Sequence, residues 1–478
     1  MTDRRIGWSA LLSGGNGVRS LALAGGVALH AINVFVATTI LPSVVADIGG
    51  LDYYAWNTTL FIVASIIGSV LSAKLLGLVG PRVAYAVAAG LFGLGTLICA
   101  VAPGMPVLLA GRFVQGLGGG FLFALAYSMI RLVFAEALWP RAMAIVSAMW
   151  GVATLAGPAI GGTFAELGSW RAAFWTMLPA TILFAGLALA ILPRKNPDTD
   201  EHSPLALPQL GLLVLAVFVV SVGSVSPLLV WNIAGIAAAL VLVAVLIVVE
   251  GRAQTRLLPR GAFSLAAPIC MLFLTMSLLA ITVTTSEMFI PLFLQVLHAQ
   301  TPLLAGYLAV ITSVGWTLGS ILSSGNQGRR AEKAVRLAPM LTLAGMVLLA
   351  LLMPPASRGE WQVLAPLSVA FLLVGGGVGI SWPHLLTRIL HAAPRDEQDL
   401  ASAAITTVQL FATALGAALA GMVVNLAGLT APGGIPGTQS AAFWLFAVFA
   451  LAPLIGIVTA ARSLQKVDDR REKSQAST

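Results

Sequence analysis

Fourteen stretches of about twenty predominantly apolar residues follow one another along this 478-residue chain. A helix rises 1.5 Å per residue, so about twenty such residues cross the hydrocarbon core of a bilayer. The stretches lie near 20–42, 55–76, 83–102, 107–128, 142–165, 172–192, 209–226, 228–249, 265–293, 303–323, 337–354, 362–384, 400–427 and 440–461. The stretch at 209–226 is short, and only Pro227 separates it from the next. A thirteen-span reading would put the chain ends on opposite sides. Hydrophobic residues make up 58% of the chain and charged residues 9%, whereas soluble domains carry roughly 25% charged residues. No soluble interior could hide so much apolar side chain. The chain reads as an all-α membrane protein with fourteen transmembrane helices, and not as a secreted disulfide module, a disordered chain or a cytosolic enzyme.

The basic residues set the orientation. Of the 26 Lys and Arg, all but three fall in loops on one side if the chain starts in the cytoplasm. Arg171 and Arg358 lie on the other side, and Arg112 lies within a span. That bias requires an even number of spans and places both termini in the cytoplasm. The net charge of +8 is therefore an orientation device, and no nucleic-acid partner is expected. The first apolar run is too long for a cleavable signal peptide and lacks a small-residue cleavage site, so it reads as a retained first helix. Cys99 and Cys270 fall at opposite ends of their spans. They support neither a disulfide nor a metal site.

The spans divide the chain. Residues 1–19 form a cytoplasmic N-terminus, 20–193 a six-helix bundle, and 194–208 a charged, proline-rich cytoplasmic linker. An extra helix pair follows at 209–250, then a cytoplasmic loop at 251–264, a second six-helix bundle at 265–462 and a cytoplasmic tail at 463–478. The two bundles repeat each other. Gly77-x-x-Gly80-x-Arg82 after the second span is matched by Gly325-x-x-Gly328-x-Arg330 after the tenth. Ala153-Thr154-x-x-Gly157-x-Ala159-x-x-Gly162 in the fifth is matched by Ala412-Thr413-x-x-Gly416-x-Ala418-x-x-Gly421 in the thirteenth. The cluster Gly116–Gly120 in the fourth is matched by Gly375–Gly379 in the twelfth. A parallel repeat of two six-helix halves is a transporter architecture, with its site near the bilayer midplane.

Four segments carry a resemblance. They are Arg112-Phe113-Val114-Gln115-Gly116-Leu117-Gly118-Gly119-Gly120, Gly157-Pro158-Ala159-Ile160-Gly161-Gly162, Glu250-Gly251-Arg252 with Leu258-Pro259, and Pro291-Leu292-Phe293-Leu294-Gln295. On them the chain resembles the major facilitator superfamily over essentially its whole length, and within it the fourteen-span drug:proton antiporter group. The resemblance implies the major facilitator fold: two six-helix bundles plus two extra helices in a bacterial inner membrane. It implies secondary transport by alternating access, and the segment from Gly157 to Gly162 resembles an antiporter signature that favours export. Gly77, Gly80, Arg82, Gly325, Gly328 and Arg330 fall where the family places its inner gate. Two motifs depart from the pattern. Gly77 stands where the inner-gate motif usually has an aspartate, and Ala73 replaces its first glycine. Asn33 stands nine residues before Pro42, where the group usually has an aspartate. An amide releases no proton near neutral pH, so the usual coupling site is missing.

Charges inside the hydrocarbon core are costly and usually line a cavity or pair. Three ionisable residues sit well inside spans: His30, Arg112 and Glu287. The resemblance implies that their helices, with the twelfth, line the central cavity. His30 and Asn33 share a helix face, as do Arg112 and Gln115, and these two pairs are expected to look across at each other. Arg112 either holds an anionic or carbonyl group of the solute or satisfies helix-terminal carbonyls. Glu287 is the one carboxylate deep in a span, so it is either the proton carrier or a paired structural acid. His30, which titrates near neutral pH, is the other candidate carrier. Trp150, Trp316 and Trp382 are candidates to stack on a flat organic solute. Trp56, Trp139, Trp170, Trp231 and Trp361 read as interface anchors. The Gly116–Gly120 run lacks the strand and lysine of a nucleotide loop, and no cofactor is expected.

The leading reading is a monomeric secondary transporter, embedded in lipid, that moves a small, largely apolar or aromatic organic solute, with export as the direction and protons as the candidate coupling partner, through Glu287, His30 or neither. Uptake or facilitated movement of a flat vitamin-like nutrient, riboflavin for example, is the alternative. An intramembrane lipid enzyme needs clustered His, Asp, Glu or Cys at one depth, and three scattered ionisable residues are too few. A sensor or scaffold is equally remote.

Overall fold

The computed structural model describes residues 11, 13–135, 138–194 and 205–475. Most of the expected linker 194–208 and about half of the expected N-terminal segment 1–19 lie outside the described residues, with Arg4, Arg5 and Lys195. The described chain is helical, with no strand among the described residues. Its helices are α1 (Gly14–Ile48), α2 (Trp56–Ala100), α3 (Met105–Val133), α4 (Trp139–Glu166), α5 (Trp170–Ile191), α6 (Leu207–Val225) and α7 (Leu229–Arg252). They continue with α8 (Pro268–His298), α9 (Pro302–Ser324), α10 (Arg329–Leu352), α11 (Trp361–Ala392), α12 (Gln398–Leu426), α13 (Gly434–Phe449) and α14 (Leu451–Gln475).

Helices are what a lipid-facing chain must form, because each backbone group has to find its partner within the segment. Several helices open on proline, including α3, α6, α8 and α9. Proline's missing N–H costs nothing there. The Thr301 hydroxyl caps α9 by accepting from the N–H of Leu304 at 3.3 Å. Thirteen helical stretches among the described residues are long and apolar enough to cross a membrane. One of them contains α2, whose 45 residues extend about 68 Å at 1.5 Å per residue, twice the thickness to be crossed. Gly80, at φ 74°, breaks it just before Pro81. A residue with a side chain rarely adopts that conformation. The two halves of α2 carry the second and third predicted stretches, which is consistent with fourteen spans. At the other end of the chain α13 and α14, separated at Ala450, carry the last one between them.

The chain forms two compact units. The first comprises the described residues within 1–50 and 60–205, the second those within 51–59 and 206–478. Within the first, Gly116 and Gly120 of α3 lie against the carbonyls of Phe61 and Ser65 on α2, with no room for a methyl group. Ser65 donates to the Gly116 carbonyl at 3.0 Å and Ser69 to that of Gly120 at 3.2 Å. Within the second, Gly375 and Gly379 of α11 lie in the same way against the carbonyls of Thr312 and Trp316 on α9. Ser320 donates to the Gly379 carbonyl at 3.1 Å. Gly157 of α4 meets Phe35 of α1, and its counterpart Gly416 of α12 meets Ile281 of α8. Small residues that let backbones touch are the standard device of helix association in lipid. Here the sequence repeat reappears as one interlock built twice.

The extra pair α6–α7 belongs to the second unit. Its helices touch through Gly223 and Gly235, where a methyl on either would come within 2.8 Å of a carbonyl on the other helix. The loop after α7 is anchored at several points. Glu250 accepts from the N–H groups of Leu257 and Leu258 at 2.7 and 2.6 Å, and Gln209 donates to the Thr255 carbonyl at 2.9 Å. Glu397 accepts from the Arg260 N–H at 2.6 Å and pairs with its guanidinium at 3.0 Å.

Candidate functional site

The first unit gathers five of the predicted site residues. Arg112 and Gln115, one helical turn apart on α3, bond to each other, Nη1 donating to Oε1 at 2.6 Å. The Gln115 amide then donates to the Thr96 hydroxyl at 2.8 Å. The guanidinium of Arg112 lies 4.2 Å from the ring centroid of Phe61, within range of a cation–π attraction. Phe61 in turn neighbours His30 at 5.3 Å between ring centroids. Phe123 at 5.5 Å and Trp150 at 6.1 Å complete an aromatic enclosure around the imidazole. The His30 Nδ1 atom faces Gly119, where an added methyl would close to 2.7 Å of it. Arg112, Gln115, His30 and Asn33 are all buried, while Trp150 is half-buried.

The Gln115 amide is held at one end by Arg112 and at the other by Thr96. Neither amide atom of Asn33 has any partner. Three residues that reading the sequence passed over belong to this cluster: Thr96, Phe61 and Phe123. Phe61 had a signal, since it stands one turn before Ser65 on the face that receives Gly116 and Gly120. Thr96 had none, being one of many hydroxyls in apolar spans.

The second unit holds the other three. Glu287 on α8 is half-buried and accepts from the Ser313 hydroxyl of α9 at 3.2 Å. Trp316 and Trp382 form a tilted pair, 4.8 Å between ring centroids and 57° between planes, both half-buried. Trp316 sits one turn beyond Thr312 on the face of α9 that receives Gly375 and Gly379.

The expected gate residues lie at helix ends and crossings. Gly77 is on α2 just before the break at Gly80. The Arg82 side chain donates to the Leu192 carbonyl at 3.2 Å, and its backbone N–H donates to Pro193 at 3.3 Å, so it closes the end of α5. Gly328, at φ 52°, precedes α10 as Gly80 precedes the second half of α2. Gly325, Gly328, Arg329 and Arg330 are exposed, and an open cavity of about 380 Å³ lies beside Gly325 and the two arginines. On α4, Gly157, Pro158, Gly161 and Gly162 are buried. Gly161 packs against Val36, Thr39 and Ile40 of α1.

Three of the tryptophans read as interface anchors have a second employment. The Trp170 indole donates to Asp47 at 3.1 Å, the Trp56 indole to the Ser221 carbonyl at 3.1 Å and the Trp139 indole to the Phe134 carbonyl at 2.9 Å.

Comparison with known proteins decides the family. The model of the Major Facilitator Superfamily matches residues 23–417. The chain belongs to the Major Facilitator Superfamily. This facilitator is 40% identical over 456 residues to a protein of Mycobacterium tuberculosis named "probable multidrug-efflux transporter", covering 94% of this chain and 95% of that one. It is 24% identical to multidrug resistance protein 3 of Bacillus subtilis, over 84% of this chain and 78% of that protein. Among solved structures, a bacterial homolog of the human lysosomal transporter Spinster matches with a TM-score of 0.67 at 14% identity, over 94% of this chain and 97% of that one. A D-xylose–proton symporter matches with a TM-score of 0.62 at 14% identity, over 94% and 97%. Likeness at that identity speaks for the fold alone. With its family and fold, this facilitator is a secondary transporter that crosses the membrane many times.

Proposed function

We propose that this protein exports small, largely apolar or aromatic organic solutes from a bacterial cytoplasm, by alternating access and in exchange for protons. The observation that carries the direction is the near full-length likeness to a transporter named for multidrug efflux. The site chemistry supports the solute class. Arg112 is the one charged side chain in the first-unit cluster, and its guanidinium already engages Gln115 and the face of Phe61. The first-unit cluster is otherwise aromatic, with Phe61, Phe123 and Trp150 around His30, and the second unit has an aromatic pair of its own, Trp316 and Trp382. Such walls suit flat, weakly polar molecules better than sugars or inorganic ions. Asn33 cannot carry a proton, so coupling falls to Glu287, held by Ser313, with His30 as a lesser contributor. Gly77, Gly80 and Arg82, with Gly325, Gly328 and Arg330, form paired hinges at the inner face. Both termini are cytoplasmic by the distribution of Lys and Arg, and the working unit is a monomer in lipid.

The test is flux in proteoliposomes of fixed orientation, with ethidium as the reporter solute. The expected result is uphill movement out of the compartment matching the cytoplasm, abolished when the proton gradient is collapsed. Accumulation in the opposite direction, or uphill movement indifferent to the gradient, would overturn the proposal. A growth screen against toxic compounds and vitamins, with Arg112→Ala and Glu287→Gln beside the native protein, then narrows the solute.

A further inference from the structure

Asn33 is completely buried on α1, and neither Oδ1 nor Nδ2 of its carboxamide has a hydrogen-bond partner. Among the described residues, no other side chain with two polar atoms has both of them buried and unanswered. Burying an amide without partners is expensive, and folded chains seldom keep one without a role for it. Gln115, equally buried in the same unit, shows the contrast: its oxygen takes a hydrogen from Arg112 and its nitrogen gives one to Thr96. One turn before Asn33, on the same helix face, His30 sits among the rings of Phe61, Phe123 and Trp150. The unanswered amide thus adjoins an aromatic enclosure.

We propose that Asn33 reads the cis-amide edge of a flat, uncharged lactam or cyclic imide. Nδ2 donates to the solute's carbonyl oxygen, and Oδ1 accepts from its ring N–H. A carboxamide and a cis-amide edge each present one donor and one acceptor side by side, so two parallel hydrogen bonds form. The conjugated ring attached to that edge lies against the neighbouring aromatic side chains in offset or edge-on contact. An ionised aspartate at this position could only accept and would repel the carbonyl. Asparagine here exchanges a proton-carrying group for a reader of uncharged amide edges. The solute reaches Asn33 in a stage of the cycle that opens α1 to water. The assignment rests on the export reading above and names its solute class.

The test uses the full-length protein in detergent, with the fluorescent lactam 7-amino-4-methyl-2-quinolinone and its ring-N-methyl derivative as probes. Methylation removes the donor and blocks the edge while leaving the ring system in place. The native protein is expected to bind the N–H form at least tenfold more tightly than the methylated form. Asn33→Leu is expected to bind the two forms equally while melting at an unchanged or higher temperature, because an unpartnered amide contributes no bond to lose. Asn33→Ala serves if leucine does not fit. Equal binding of the two probes by the native protein would overturn the assignment, and so would a tenfold preference that survives in Asn33→Leu. A large loss of melting temperature in both variants would overturn it too, by making the amide structural. If neither probe binds yet ethidium is exported, the lactam site fails alone. If ethidium is not exported either, the export reading fails with it.

Discussion

The side-chain amide of Asn425 donates to the carbonyl oxygen of Ser224 at 3.0 Å, joining α12 to the inserted helix α6 near its C-terminal end. The same nitrogen donates to the carbonyl of Asp52 at 3.0 Å. Ser224 lies in the last turn of α6, where carbonyls have no partner within the helix. The inserted pair is therefore tied into the second unit by polar contacts as well as by packing. Asn425→Ala leaves two carbonyls without this donor and is expected to cost about 1–3 kcal/mol. Thermal melting in detergent measures it, and an unchanged midpoint would show that water replaces the amide.

The double interlock gives a set of substitutions of opposite sign. Gly116→Ala, Gly120→Ala, Gly375→Ala and Gly379→Ala each drive a methyl into a carbonyl of the facing helix. Overpacking of this kind costs about 1–3 kcal/mol apiece. Gly151 and Gly186 have nothing within 4 Å of an added methyl, so alanine there is expected to be neutral or to stabilise by about 0.5–1 kcal/mol. Melting midpoints of the six variants check both signs. A uniform response would mean that helix propensity, and not contact, controls stability.

For coupling, Glu287→Gln keeps the size and the capacity to bond with Ser313 but removes the titrating group. Solute counterflow is expected to persist near the native rate, while uphill export driven by a proton gradient falls to background. Ser313→Ala removes one donor to the carboxylate and is expected to alter the pH dependence of export more than its maximum rate. Retention of gradient-driven accumulation in Glu287→Gln would assign the proton elsewhere, with His30 next in line.

The fold was legible because lipid imposes a length and a composition on every span, and each predicted stretch coincides with helix apart from a few residues at its ends and Ala450 in the last. The repeat was legible from glycine spacing, since backbones touch only where side chains are absent. What stayed hidden were contacts made between helices by short polar groups. Nothing in the sequence sets Thr96 apart as the partner of Gln115, or Ser313 as the partner of Glu287. Nor could spacing reveal that Asn33 has no partner, because that depends on what the neighbouring helices do not supply. Glu250 shows the middle case. Its place before Gly251-Arg252 marked it by resemblance, and the structure gives the reason: its carboxylate holds the N–H groups of Leu257 and Leu258.

Surface charge at the other end of the bundle is expected to matter little. Asp47 and Arg171 pair at 2.6 Å, with their side chains 49% and 37% exposed. Exposed pairs contribute about 0–1 kcal/mol and weaken with salt. Asp47→Asn is expected to shift the melting midpoint slightly at low salt and not at all in molar salt.

Arg112 is the sharper case, because its contacts with Gln115 and Phe61 demand different things of it. The 2.6 Å bond to Gln115 asks for a directed N–H, and the 4.2 Å approach to Phe61 asks for a flat cation that can lie near an aromatic ring. Guanidinium offers both at once. The ammonium of lysine is a compact, strongly hydrated point charge that cannot satisfy both with one geometry. Arg112→Lys is therefore expected to cut the initial rate of solute export at least tenfold although the charge is retained, and Arg112→Ala to do the same while also leaving the Gln115 oxygen short of a donor. Initial rates and solute Kd for the two variants, read beside their melting midpoints, separate the outcomes. A lysine variant that transports at the native rate would reduce Arg112 to its charge and remove the geometric part of the site.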